Sequence, residues 1–425
     1  MDGGRFVELA VRLAQPGGFK RVIYYCDLTG GDPDMKTAVI GDGLLDNLDV
    51  TLEFEDLAPY ADVFVFPDST RPDWQTALRK HKKPVWGSGE GCRLEWNRQD
   101  FLRKLGQVKL PVPAHKVCHG LAELRAYLAD REDQYIKTSR FRANGETWHW
   151  VDADLSSGEL DALAVEYGPL QNHVDFIAFP SIDAVSEWGY DGYFVNGKFP
   201  THSLHGVEAK DKSYFGAFTA FADLPGPIRH VQECMRPLLE RVKYANFWSA
   251  ECRITEDGMT YFTDPTARHA SPAGEAQLEC YENLPEIVFE GAHGTLVNPK
   301  PAAAFVAQAM ITHHKDYKEW RVLWVPDEVR RFTKLTNVTR PDPGEIYAFP
   351  PLAHSCDSVG SLLGLGDTPQ AALDHLKENA EAFAGQPVSV EVESIADIIK
   401  ELEEAKEQGI ELTPQKLPEP AEALM

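Results

Sequence analysis

The sequence lacks the features that would carry it out of the cytoplasm or onto a nicotinamide cofactor. It has no apolar run near the roughly 20 residues that a membrane helix needs. Its N-terminus, Met1-Asp2-Gly3-Gly4-Arg5, has neither the basic start nor the apolar stretch of a secretory signal. The cysteines at 26, 92, 118, 234, 252, 280 and 356 are odd in number and include no Cys-x-x-Cys pair. That speaks against a disulfide framework and a structural zinc site. Positive charge is scarce: 42 Lys+Arg against 66 Asp+Glu leave a net charge of −24. Attraction to nucleic-acid phosphates is therefore not expected. No Gly-x-Gly-x-x-Gly follows the first strand-like run, and no Gly-x-Ser-x-Gly elbow occurs. A soluble cytoplasmic protein is expected, with neither nucleic acid nor membrane as partner.

What is present is ordinary globular material: 43% hydrophobic residues, with 21 Phe, 14 Tyr and 9 Trp. At about 150 residues per domain, 425 residues imply two or three domains. The first hundred alternate helix and strand patterns. Helical spacing over 5–15 is followed by strand-like runs at 22–26, 61–66 and 84–86, with a helix at 74–81 before the last. Polar or glycine-rich residues close each run, which predicts an α/β fold with an open parallel sheet. Ligands of such sheets sit beyond the strand ends, here Asp68 and Trp86 to Gly89. Leu110-Pro-Val-Pro113 reads as a linker. Strands are expected at 134–137, 176–179 and 192–195. A third unit beyond residue 300 combines strand-like 317–324 and 359–366 with helices at 369–384 and 392–408. The expected boundaries are 1–109, 110–300 and 301–425, ending in a frayed tail.

The most informative segment runs from Phe247 to Asp264. Two strand-like halves flank Asp257-Gly258, a strong hairpin signal. If those two residues form the turn, Arg253 faces Phe262 and Glu251 faces Asp264. Opposed side chains share a face at about 4.5–5.5 Å between Cβ atoms. Two opposed carboxylates repel unless a cation offsets them. Magnesium suits this, since it takes a few carboxylates plus phosphate oxygens and water. Arg253, on the same face, is the alternative offset, as in a plain surface hairpin.

After this pair come Thr266 and Arg268, at alternate positions along the chain. Glu251 with Asp264-x-Thr266-x-Arg268 resembles the metal-binding end of the ATP-grasp superfamily. The order of parts is similar to that of phosphoribosylamine–glycine ligase-type members. The resemblance implies a two-lobed grasp domain between the N-terminal domain and a small α+β C-terminal one. The smaller lobe would span about 110–180 and the larger about 181–300. It further implies an ATP-dependent ligase that joins a carboxylate to an amine through an acyl phosphate, releasing ADP and phosphate. Glu251 and Asp264 would hold one or two Mg2+ ions. Arg268, supported by Arg253, would stabilise the phosphoryl oxygens. Lys137 lies where that family carries a phosphate-binding lysine, and Arg98 stands roughly in place of a second one.

The glycine-poor loop after Lys137 offers Arg140 and Arg142 as forked phosphate contacts. At the hinge, Phe179 and Ile182 would serve adenine by stacking and backbone groups. Glu187 either holds ribose hydroxyls or is a surface acid beside a turn. Lys210 either reaches a terminal phosphate or lies on a solvated loop. Residues 71–142 hold 16 Lys+Arg against 8 Asp+Glu, a basic stretch that suits a triphosphate. Asn283 is expected on a helix closing the site. His202, His205, His313 and His314 are read as non-ligands, the last two within a helical pattern. Asp264 and Thr266 depart from the family's Glu and Asn. A non-catalytic nucleotide-binding or scaffolding protein that kept the fold is therefore the competing function. The carboxylate and amine substrates are not named by the sequence, and a homodimer is left open.

Overall fold

The protein is represented by a computed structural model that describes residues 4–26, 40–51, 53–139, 147–341, 344–351, 357–407, 411–412 and 414. Its fold class is the expected mixed α/β. In the N-terminal part, α1 (Val7–Ala14) precedes β1 (Val22–Tyr25), β2 (Leu48–Thr51), α2 (Phe54–Leu57) and β3 (Phe64–Val65). Then come α3 (Pro72–Lys80), β4 (Val85–Trp86), α4 (Arg93–Trp96) and α5 (Arg98–Gln107). The strands are parallel, as their pattern predicts. Among the described residues, however, β1–β2 and β3–β4 form two separate pairs rather than one open sheet. α5 starts where the Asn97 side chain accepts the backbone N–H of Asp100 at 3.1 Å, an N-cap that satisfies one orphan donor.

The next lobe is a four-stranded antiparallel sheet in the order β5 (Lys116–His119), β8 (Asp175–Pro180), β6 (Gln134–Thr138), β7 (Thr147–Trp150). α6 (Leu121–Leu128) and α7 (Ala153–Tyr167) cover one face. Its own apolar core joins Leu121, Leu124, Leu128, Ile136, Trp150 and Phe176. Alternation along β6 buries Gln134, Ile136 and Thr138 and turns Tyr135 and Lys137 the other way.

The larger sheet is built from β9 (Ala184–Val195), β10 (His202–Ala209), β11 (Ser213–Ala220), β12 (Ala245–Thr255) and β13 (Thr260–Thr266). With them go helices α8 (Gly226–Arg241), α9 (Ala273–Cys280) and α10 (Leu284–Ala292). The C-terminal part adds β14 (Phe305–His313), β15 (Arg321–Trp324), α11 (Asp327–Arg330), β16 (Thr333–Leu335), β17 (Ile346–Phe349) and β18 (Ser358–Gly366). It ends with α12 (Pro369–Glu381), β19 (Val388–Val390) and α13 (Ile395–Glu407). One sheet runs β13-β12-β9-β10-β11-β14-β18-β16, with β19 on β14, so it crosses residue 300 without a break. His313 ends β14 rather than lying in a helix, because buried and half-buried positions alternate with the sheet's period from Ala309 to His313.

Ala250, Cys252 and Ile254 on one face of β12 join the main core with Val231 and Met235 of α8. Buried ion pairs fasten distant parts of the chain together. Glu8 of α1 meets Arg330 at 2.9 Å, and Glu279 meets Lys334 at 2.7 Å. No helix among the described residues is long and apolar enough to cross a membrane.

Candidate active site

The hairpin pairs Glu251 with Asp264, but by a different route from the one expected. The Thr255 N–H donates to the Met259 carbonyl, leaving a three-residue turn, Glu256 to Gly258, with Gly258 at φ +79°. That turn shifts the register so that Arg253 faces Tyr261 and Cys252 faces Phe262. A bulge between Glu251 and Cys252 then absorbs one extra residue, Thr263, whose hydroxyl donates to the Glu251 carbonyl at 3.2 Å. The bulge restores the opposition of the two carboxylates.

Two cations from other parts of the chain converge on Asp264. Arg98, at the start of α5, meets one carboxylate oxygen at 2.5 Å. Lys137, from the smaller lobe, meets the other at 3.3 Å. Burial pushes the Glu251 carboxyl up to about 8, helped by the negative charges of Asp264 and Glu187 and opposed by Lys137. Burial and the neighbouring Arg98 lower the Lys137 ammonium, against the pull of Asp264 and Glu251. The face is acidic beyond this pair. Glu208 of β10 sits well above the carboxylate range through burial and the charges of Glu251, Asp211 and Asp191. Asp191 of β9 is raised to about 6 by burial, while Ser249 and Tyr214 hydrogen-bond to it.

The strand rows give this face a flat floor. Gly189 lies beside Glu251 in register, and Gly206 and Gly216 continue the row on β10 and β11. The Tyr214 ring lies across the last two: a Cβ on Gly206 or Gly216 would stand 2.7 or 2.6 Å from its hydroxyl oxygen. That hydroxyl donates to Asp191 at 3.0 Å. Only glycine leaves room for such an approach. Isolated glycines inside strands are the signal in the sequence for this floor.

Arg253 and Glu187 face each other across β12 and β9 and form a forked ion pair, at 2.9 and 3.2 Å. The Arg253 guanidinium also stands 5.3 Å from the ring centre of Tyr135 in the smaller lobe. Glu187 is thus engaged by the arginine. Phe179 pairs with Tyr135 near the end of β8 and packs near His115, and Ile182 follows in the connection to β9. Lys210 is exposed in the turn between β10 and β11. Arg140 and Arg142 lie outside the described residues.

Arg268 is placed differently from expectation. The strand ends at Thr266, so alternation no longer holds two residues later. The guanidinium is instead buried against the N-terminal part, its Nε donating to Glu95 at 2.9 Å and its Nη1 to the His269 carbonyl at 2.9 Å. Glu95, 3% exposed, also accepts the backbone N–H of Ala267 at 3.1 Å. Sequence reasoning passed over this acid because nothing in its spacing separates it from a surface glutamate. Asn283 precedes α10 rather than lying on it, and its side chain ties down the segment after that helix, donating to the Asn298 carbonyl and accepting from the Lys300 N–H. The Gly87-Ser88-Gly89 strand end is packed, with Gly87 bridged to Ala245 and Gly89 donating to Gln75 at 2.6 Å. His205 stacks on Trp188 inside β10, and its Nδ1 shares a 2.7 Å hydrogen bond with the Gly189 carbonyl.

Among the described residues, no group of three or more His, Cys, Asp or Glu is arranged to hold a metal ion. Two opposed carboxylates, one of them raised by burial and by the charge of the other, suit an ion that takes one or two protein acids and completes its shell with phosphate and water.

No protein-family model and no curated protein sequence matches the chain. Solved structures do match, and they define the class of fold: it is the ATP-grasp fold that the motif around Asp264 resembled. One is phosphoribosylamine–glycine ligase from Thermotoga maritima, with a TM-score of 0.64 and 17% identity, covering 92% of this chain and 96% of that one. Biotin carboxylase from Campylobacter jejuni, solved as a beta-gamma-ATP complex, gives 0.63 and 12% over 92% of each chain. L-amino acid ligase from Bacillus licheniformis gives 0.55 and 13%, over 91% and 96%.

Proposed function

We propose that the chain is an ATP-dependent ligase that joins a carboxylate to an amine. The carrying observation is the Glu251–Asp264 pair, with Arg98 and Lys137 brought onto it from two other parts of the chain. Binding ATP asks for cations that grip phosphates and acids that hold a divalent ion, and this cluster holds both within one ion-pair network. Phosphate oxygens would take over Arg98 and Lys137, leaving Asp264 with Glu251 to hold Mg2+. The ion, when bound, neutralises charge on the phosphates.

Transfer of the terminal phosphoryl group to a carboxylate would give an acyl phosphate. Attack by the amine on its carbonyl carbon would then release phosphate. The two-lobed architecture, with Lys137 on the smaller lobe, suits closure over the nucleotide and exclusion of water. Arg253 orders Glu187 and Tyr135 near the lobe junction, and Arg268 would serve the phosphoryl oxygens through the nitrogen that Glu95 and His269 leave over. Glu187, Phe179 and Ile182 would meet the nucleoside from the hinge. The neighbours named as ligases and carboxylases of this fold support the same reading.

The test is release of ADP from ATP and Mg2+ across a panel of carboxylate–amine pairs. The reading expects turnover that needs both co-substrates and disappears in Glu251→Gln and Asp264→Asn. Saturable ATP binding with no turnover across the panel would support the competing scaffold function. The ion pairs that already satisfy Asp264 without a metal are the observation in favour of that alternative.

A further inference from the structure

We propose that Glu95 is a positioning residue, supplied by the N-terminal part of the chain, that sets the orientation of Arg268 toward a transferring phosphoryl group; this rests on the ligase reading above. Glu95 lies in α4 and Arg268 follows β13, more than 170 residues later, yet the two meet in a buried pair at 2.9 Å. One Glu95 oxygen takes the Arg268 Nε and the other takes the Ala267 N–H. The carboxylate thus fixes both the side chain and the backbone that carries it, three residues beyond Asp264. The His269 carbonyl takes Nη1, and the His269 N–H is anchored in turn to the Pro67 carbonyl at 2.8 Å. Among the described residues, Nη2 is the one guanidinium nitrogen with no protein partner. Two nitrogens are held and the third is left over, which is how an arginine is aimed rather than merely buried. The same segment delivers Arg98 to Asp264, so α4 and the start of α5 hold both groups at the site from one short stretch of chain.

The chemistry calls for a carboxylate here. A glutamine has one acceptor oxygen. It can serve either Ala267 or Arg268, and its amide N–H2 group would then face the other donor. Aspartate keeps the charge but falls one methylene short. A misplacement of about 1 Å in a catalytic group can cost on the order of 10²-fold in rate. An effect that runs through Arg268 should also vanish when Arg268 is replaced, since two residues acting as a unit are not additive.

The experiment measures affinity for MgADP alone and for MgADP with aluminium fluoride, a mimic of the transferring phosphoryl group, in wild type, Glu95→Gln, Glu95→Asp, Arg268→Lys and the Glu95→Gln/Arg268→Lys double variant. Melting temperatures are recorded for each. Expected results are MgADP affinity within about threefold of wild type for Glu95→Gln, the fluoride complex weakened about 100-fold, partial recovery in Glu95→Asp, and no further loss in the double variant. An unchanged fluoride complex in Glu95→Gln overturns the inference and leaves the ligase reading standing. So does a parallel fall of both affinities with melting temperature, which marks a structural role, or an undiminished Glu95 effect in the Arg268→Lys background. A wild type that binds the fluoride complex no more tightly than MgADP removes the ligase reading itself, and the inference with it.

Discussion

Replacing Glu251 by glutamine should make the metal-free protein more stable while ending its nucleotide chemistry. The half-buried Glu251 carboxyl is raised from the usual 4.5 to about 8 by burial and by the charges of Asp264 and Glu187. A carboxyl with a raised pKa binds its proton more tightly in the fold than in the unfolded chain. Its ionisation therefore costs nothing below pH 4.5, and the cost grows as pH rises toward 8. A shift of that size has a ceiling of roughly 5 kcal/mol. Solvent reaches this carboxylate, so about 2 kcal/mol is the expected loss above pH 8. Glutamine keeps the shape and carries no charge. Denaturant unfolding in a chelator should show the variant equal to wild type near pH 4.5 and about 2 kcal/mol more stable at pH 8.5. Added Mg2+ and ATP should stabilise wild type at pH 8.5 and leave the variant unmoved. A variant no more stable at pH 8.5, or a gap that does not change with pH, would refute the reasoning.

Other parts of the molecule make independent predictions. Lys334→Ala removes one of the two cations that hold buried Glu279, each 2.7 Å away, and leaves the half-satisfied acid to Arg331; thermal melts should show a loss of about 3 kcal/mol. Gly364→Ala puts a Cβ 2.2 Å from the Ala372 carbonyl where α12 lies on β18, and should cost about 2–3 kcal/mol in urea titration. Burial lowers His205 to about 4, so it stays neutral in the fold while the unfolded chain gains a proton below pH 6.5. Stability should fall by roughly 3 kcal/mol between pH 6.5 and pH 4 from this residue, and His205→Gln should flatten that slope. Lys137→Met removes one of the two cations on Asp264 and should raise the KM for ATP at least about tenfold, read from initial rates, if phosphate takes the place of that carboxylate.

Much of this was legible in the residues because strand alternation is a short-range property. The strand that carries Lys137 and the opposition of Glu251 to Asp264 both follow from short runs of residues, whereas the order of parts came from the resemblance. The opposition was reached through two errors that cancel. A two-residue turn at Asp257-Gly258 and a three-residue turn followed by a bulge at Thr263 give the same pairing two turns of the pleat away. Nothing in the local sequence separates them. Arg268 shows where alternation stops. Its position two residues past Thr266 lies beyond the strand, and its partner is an acid more than 170 residues earlier. The N-terminal strands were recognised, but their division into two pairs among the described residues is not written in their own composition.

The most direct test is anomalous diffraction from crystals grown with Mn2+ and a non-hydrolysable ATP analogue. A manganese peak within coordination distance of both Glu251 and Asp264, with the analogue's phosphates taking over Arg98 and Lys137, is the expected result. Nucleotide bound with its metal elsewhere, or with Asp264 still held by both cations, would contradict the account.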